Sequence, residues 1–183
     1  MSKVFGYKGR IIGVELEEKE INGKIIKFEK AVRSPGVRII AYKNNQILLT
    51  KEFRYELNDW DYRLAGGKVV DTLEEYLPIR NDSAKLNEAI EEAIRREAKE
   101  ELGLEVKSMK LFKKSTCGAT VEWDLYYYST NDFIEHENNP DTGEQIEKIW
   151  VSSKEALEMC NDGRISEERS AIALLNFLSK KDI

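Results

Sequence analysis

The chain has 183 residues, 41% of them hydrophobic and 34% charged, which suits one soluble domain with a sizeable core. Its formal net charge of −5 argues against a broad nucleic-acid surface, since non-specific binding there needs clustered lysine and arginine; it leaves room for a nucleotide, whose pyrophosphate a metal and a few arginines can neutralise locally. No run of eighteen apolar residues exists, and Met1 to Ile21 lacks the apolar centre of a signal peptide, so the expectation is a cytoplasmic protein with no membrane segment.

Arg10 to Glu20 alternates apolar and polar positions, Asn22-Gly23 is a hairpin turn signal, and Lys24 to Val32 alternates again, so residues 1–35 are expected to form an N-terminal β-hairpin. Ser34-Pro35-Gly36 breaks the pattern. Val37 to Tyr42 and Gln46 to Phe53 then read as two core strands around an Asn44-Asn45 turn. Lys51-Glu52-Phe53-Arg54-Tyr55 closes the second of them beside a loop, where ligand-contacting side chains concentrate. Leu64-Ala65-Gly66-Gly67-Lys68 holds a glycine pair, which fits either a tight turn or a close approach of backbone to another group.

Asn87 to Leu104 is the most informative stretch. Ala89, Ile90, Ala93, Ile94 and Ala98 recur at steps of three and four, which makes one apolar stripe on a helix, and Gly103 supplies the stop. Glu97, Glu100 and Glu101 sit at i, i+3 and i+4, so three carboxylates share one face and repel one another. Either they face solvent against Arg95, Arg96 and Lys99, or a hard divalent cation with oxygen ligands offsets the repulsion.

Past the helix, Glu105 to Lys114 and Val121 to Thr130 alternate as strands, and the run containing Trp123 and Tyr126 to Tyr128 is expected in the sheet core. Asn131 to Glu147 is polar, with turn signals and no hydrophobic period, and reads as a long loop. Ile146 to Val151 is a last strand, Ser152 caps a short helix to Cys160, and Ser166 or Glu167 opens a final helix to Leu178. Helices on both sides of a mixed sheet give an α/β sandwich. Cys117 and Cys160 are too few and too far apart for a disulfide framework or a zinc cluster, and read as buried or incidental thiols. With His136 as the sole histidine, chemistry has to come from carboxylates.

Glu88, seven further residues and then Arg96-Glu97-Ala98-x-Glu100-Glu101-x-Gly103-Leu104 resemble the Nudix hydrolase box, G-x5-E-x7-R-E-U-x-E-E-x-G-U with U aliphatic. The box glycine is best matched by Gly67. Twenty residues separate it from Glu88 where the box has five, so residues 69–86 look like an insertion in the loop before the catalytic helix. Glu74 or Glu75 is an alternative match to the first box glutamate; Glu88 fits the distance to Arg96. PGVRIIAYKNNQILLTKEFRY followed by DYRLAGGKV resembles the ADP-ribose pyrophosphatase branch of that family.

The resemblance implies a Nudix-like α/β/α sandwich at 36–183 and a small N-terminal β subdomain at 1–35, exchanged between the chains of a homodimer. It implies Glu52, Arg54 and Gly118 as substrate contacts, with Gly118 on the glycine-containing loop from Ser115 to Glu122. Glu97, Glu100, Glu101 and the Gly66 carbonyl become metal ligands, although the family has proline where this chain has Ala65. Glu144 becomes the general base, with Glu137 and Asp141 as alternatives. Arg96, pairing with Glu88 or a box carboxylate, joins Glu97 in the catalytic set, and Gly67, Glu88 and Gly103 are structural. The implied reaction is Mg2+-dependent (Mn2+ the alternative) cleavage of a nucleoside diphosphate linked to another group, in the first instance ADP-ribose to AMP and ribose 5-phosphate. Another nucleotide sugar or a dinucleotide is the rival substrate, and a ligand-sensing module without turnover is the rival from a different class.

Overall fold

The structure is a computed structural model describing residues 3–55, 58–137 and 146–180. Its larger sheet has β10 (Ile146–Ser152), β5 (Gln46–Arg54), β4 (Gly36–Lys43), β9 (Leu125–Glu135) and β7 (Leu104–Ser115) in that order, with β6 (Asp59–Arg63) pairing the far end of β5. The β4–β9 pair is parallel and the others are antiparallel, so the sheet is mixed. Strands covered on both faces need apolar side chains on both, which explains the runs Ile39–Tyr42 in β4 and Ile47–Leu49 in β5.

Alternation distributes those side chains. Val37, Ile39, Ala41, Tyr126 and Tyr128 face helix α2 (Ser83–Leu102), against Ile90, Ala93, Ile94, Ala98 and Leu102. Ile40, Leu49, Leu125 and Tyr127 face α3 (Ser153–Asn161) and α4 (Glu168–Ser179), against Met159, Leu174 and Phe177. The three tyrosines are thus core on both faces, as their period suggests, and the result is an α/β/α sandwich. Each fully buried isoleucine or leucine on α2 contributes on the order of 2 kcal/mol. The helix ends at Gly103 with φ of 64°, and its N–H reaches the carbonyls of Ala98 and Lys99. It begins earlier than the periodicity indicated, because the Asp82 carboxylate caps the N–H groups of Ala84 and Lys85. Strand β9 also runs on to Glu135, where a loop was expected, since pairing with β7 carries it that far.

A second sheet orders β1 (Val4–Lys8), β2 (Ile12–Ile21), β3 (Lys24–Arg33) and β8 (Val121–Glu122). The β2–β3 hairpin turns at Asn22-Gly23, both with positive φ, as the sequence indicates. The segment between Gly67 and α2 is not a loop. It contains helix α1 (Leu73–Ile79), started by a reciprocal capping box between Thr72 and Glu75. Leu73 and Tyr76 bury against Val32 of β3. Arg80, just past α1, donates to Glu15 of β2 at 3.1 Å and to Glu122 of β8 at 2.6 Å; Lys30 at 2.7 Å and the Tyr76 hydroxyl at 3.0 Å also donate to Glu122. Among the described residues, no helix is long and apolar enough to cross a membrane.

Burial pushes the Glu122 carboxyl up, but the donors from Arg80 and Lys30 outweigh it and hold the group at about 2, against an ordinary 4.5. A depressed carboxylate stabilises the fold fully above its unfolded value and ceases to do so as pH falls through its folded one. Urea denaturation should therefore show stability falling from about pH 4.5 towards pH 2, with Glu122 contributing on the order of 3 kcal/mol of that loss. A Glu122→Gln variant should be weaker at neutral pH and flatter across this window; an unchanged slope would assign the acid sensitivity to other groups.

Candidate active site

One cavity of about 630 Å³ lies where the C-terminal half of α2 meets the glycine pair and the ends of β4, β5 and β6. Helical spacing turns Glu97, Glu100 and Glu101 towards it. The Glu101 carboxylate accepts the Gly66 N–H at 2.9 Å. Gly66 has φ of +145°, and a Cβ there would lie 2.1 Å from the Val37 carbonyl oxygen, so backbone crowding alone demands glycine. At Gly67 a Cβ would fall 2.4 Å from Glu97 Oε1. The carbonyls of Ala65 and Gly67 accept the N–H groups of Ile39 and Val37, each at 2.9 Å. The Gly66 carbonyl between them accepts no hydrogen bond among the described residues.

Arg96 donates to the Lys68 carbonyl at 2.9 Å and to Glu97 at 3.1 Å, and its Nε lies 3.9 Å from Glu100. It thus joins two box carboxylates to the glycine segment. Glu88, its other expected partner, is exposed and does not line the cavity.

Burial, then the like charge of Glu97, pushes the Glu101 carboxyl up to about 8 against the pull of the Gly66 N–H. Burial also raises Glu97, with Arg96 opposing. Two carboxylates so placed are short of positive charge, and their hard oxygens suit a divalent cation of the magnesium type. Among the described residues no three acidic, histidine or cysteine side chains converge into a ready-made metal cage. Glu100 is more exposed than Glu97, and its carboxylate lies 3.9 Å from Arg96 Nε. The donor set therefore fits a hard cation as an open, unclosed site.

The facing wall is basic. Arg54 pairs with Glu52 at 2.9 Å, and Arg63 pairs with Asp61 and lies 4.0 Å from Glu52, so these two expected contacts do reach the cavity. Arg33, Arg38 and Arg63 line it as well, without having been singled out for a site in the sequence, and so does Trp123, which was expected in the sheet core but lies between β8 and β9. The Arg33 guanidinium stacks over Trp123 at 4.5 Å from the ring centroid. The buried Nε groups of Arg33 and Arg54 have no hydrogen-bond partner among the described residues. The available signal was Arg33 and Arg38 interrupting apolar strands on either side of Ser34-Pro35-Gly36.

Other candidates lie elsewhere. Gly118 is exposed and borders a separate cavity of about 740 Å³, next to Glu122 and Arg80. His136 is exposed, with Nε2 3.6 Å from Glu105. Cys160 is half-buried, its thiol raised to about 11 by burial, whereas Cys117 is exposed, the incidental rather than the buried alternative. Glu137 is exposed, and Asp141 and Glu144 fall outside the described residues.

A NUDIX domain profile matches residues 32–171, which include every wall of the carboxylate-lined cavity except Ile11. The chain belongs to the Nudix family. It is 28% identical over 148 residues to a GDP-mannose pyrophosphatase of Yersinia enterocolitica serotype O:8, covering 78% of this chain and 72% of that one. A GDP-mannose pyrophosphatase of Enterobacter sp. strain 638 is 27% identical over 168 residues, covering 86% and 81%. The crystal structure of an ADP compounds hydrolase superposes with a TM-score of 0.67 over 98% of this chain and 93% of its own, at 16% identity, a likeness of fold. The Nudix sandwich anticipated from the box is the architecture observed. In this Nudix chain α1 lies between Gly67 and the box helix α2.

The two glycines make separable predictions. Gly67→Ala forces only the end of the Glu97 side chain aside, so the fold should survive while hydrolytic turnover drops by at least about tenfold. Gly66→Ala meets backbone and a disallowed φ, and should lower stability by more than about 2 kcal/mol. Thermal melts and turnover of the pair check this; equal stability losses would remove the distinction.

Proposed function

We propose that this Nudix-type pyrophosphohydrolase cleaves the pyrophosphate bond of a nucleoside diphosphate linked to another group, ADP-ribose to AMP and ribose 5-phosphate being the first choice. The observation that carries the reading is the pairing of charge-short carboxylates Glu97 and Glu101 with a facing wall of arginines around one cavity. Such a cavity suits a diphosphate bound together with a divalent cation. The names of the two GDP-mannose pyrophosphatases favour a second reading, a GDP-sugar in place of ADP-ribose.

In the proposed site Glu97, Glu100, Glu101 and the Gly66 carbonyl would hold Mg2+, with Mn2+ the alternative. A hard divalent ion supplies charge neutralisation of the pyrophosphate and a water of lowered pKa. Arg54 and Arg33, which line the cavity, would offer their guanidinium groups to substrate oxygens, with Glu52 holding Arg54 in place. Arg96 keeps Glu97 oriented and ties the box helix to the Lys68 carbonyl. Glu144 is the proposed general base, orienting or deprotonating the attacking water, with Glu137 and Asp141 as the neighbours able to replace it. A cytoplasmic setting belongs to the same proposal, in keeping with the two unpaired thiols.

The test is a product assay over ADP-ribose, GDP-mannose, other nucleotide sugars and dinucleotides, with magnesium and with chelator. Glu100→Gln and Glu101→Gln should each fold and lose at least about a hundredfold in turnover, and Glu144→Gln should keep substrate affinity while losing most of its turnover. Binding of these compounds with no turnover by the wild type would establish the ligand-sensing alternative instead.

We further propose that residues 1–35 form a subdomain that packs against a second copy of the chain. Ile12, Ile21, Ile25, Ile26 and Phe28 of the hairpin are exposed, distributed over both of its faces, and a two-fold homodimer that exchanges the hairpin would cover them. Light scattering at micromolar concentration should give twice the chain mass, and Ile25→Glu with Phe28→Glu should give a monomer; an active wild-type monomer would remove the idea.

A further inference from the structure

The segment from Ser115 to Asp124 separates the two cavities. Its Glu122 lines the outer one, beside Arg80 and Tyr76, while the next residue, Trp123, lines the cavity with the carboxylates. Successive residues of an extended chain point to opposite sides, so a grip on Glu122 on one side fixes where Trp123 stands on the other. Glu122 is held by Arg80, Lys30 and Tyr76, and Arg80 is anchored in turn on the buried Glu15 of β2. A guanidinium bridging two carboxylates gives directional as well as electrostatic restraint, which a lysine cannot reproduce.

The rest of the segment is held from α4. Arg169 of α4 donates to the carbonyls of Trp123 at 3.0 Å and Ser115 at 2.8 Å, and its guanidinium lies over the Trp123 ring at 5.1 Å. Trp123 in turn carries the stacked Arg33, whose desolvated guanidinium has no ion-pair partner among the described residues. The segment between Gly67 and α2 lines the carboxylate cavity directly with Lys68 and Asp71, and through Arg80 and Glu122 it also reaches the neighbour of Trp123.

We infer that Arg80 is a positioning residue for substrate: by holding Glu122 from the outer side, it sets the Trp123–Arg33 wall against which the part of the substrate remote from the carboxylates rests. This rests on the reading of the carboxylate-lined cavity as the substrate site. The positioning acts on substrate affinity, since the wall faces the cavity without being part of the box, and it makes the insertion a specificity element of the Nudix site.

Two measurements on the full chain test it, one independent of substrate. Hydrogen exchange in residues 115–124 should quicken by about tenfold or more in Arg80→Lys and Glu122→Gln while the amides of α2 keep their protection, a local pattern that general destabilisation does not produce. In steady-state kinetics Arg80→Ala should raise KM by about tenfold with kcat held within about threefold, and Arg80→Lys should recover only part of the loss. Trp123→Ala should raise KM similarly, and the double variant should resemble Trp123→Ala alone, because both changes remove one wall. If Arg80→Ala does not fold, Arg80→Lys and Glu122→Gln decide by the same two readings. Unaltered exchange in 115–124, or KM effects that multiply in the double variant, overturns the inference. A wild type that cleaves none of the panel removes the functional reading, and the exchange measurement still judges the brace.

Discussion

The site depends on how closely the backbone at Gly66-Gly67 can lie between strand β4 and helix α2. Carbonyls of Ala65 and Gly67 are fixed to β4, and the Gly66 N–H is spent on Glu101, so a short stretch of backbone sets the depth at which the box helix docks. The apolar stripe from Ile90 to Leu102 gives α2 its adhesion to the sheet but leaves its position along the sheet loosely specified. The hydrogen bond from Gly66 and the contact of Glu97 on Gly67 specify it to within a side chain's width. Packing supplies most of the energy, and the glycines supply the geometry.

A second constraint joins the two sheets. Helix α1 covers the hairpin sheet at Val32, seating Leu73 and Tyr76 on it. Arg80 and Glu122 then add a polar restraint that apolar contact cannot provide, since carboxylates with several charged donors tolerate little displacement. The chain therefore reaches its cavity from two directions: the box helix brings the acidic wall, and the insertion with β8 steadies part of the basic and aromatic one.

Features that local chemistry decides were legible in the sequence. Gly103 ends its helix in the left-handed region, Asn22-Gly23 turns the hairpin, and three carboxylates at helical spacing do reach one cavity. Features decided by distant partners were not. Thr72 and Glu75 spell a capping box, yet α1 is too short to show a period, and its burial depends on Val32 from another sheet. Strand β9 looks polar beyond Thr130 and continues because β7 pairs with it as far as Glu135. Arg33, Arg38, Arg63 and Trp123 sit on different elements, and only the folded arrangement brings them to one wall. Gly118 matched a glycine-containing loop in type but faces the other cavity, because the residue that turns inward there is Trp123.

The electrostatics of the acidic wall carry a cost that bears on its use. A carboxyl held near 8 in the fold and at its ordinary 4.5 in the unfolded chain keeps its proton in the fold after the unfolded chain has released it. Unfolding then releases a proton anywhere between those values, and the linkage relation makes this group's contribution to stability fall as pH rises through that window. Nothing in packing requires the arrangement, for an apolar or neutral side chain at Glu101 would avoid the penalty while leaving the stripe from Ile90 to Leu102 intact. Two adjacent, partly buried carboxylates sharing a cavity with several arginines would be matched by a ligand that brings positive charge to the one group and negative charge to the other. A diphosphate accompanied by a divalent cation has that polarity, and positive charge brought to Glu101 would favour its deprotonated form against the upward push of burial.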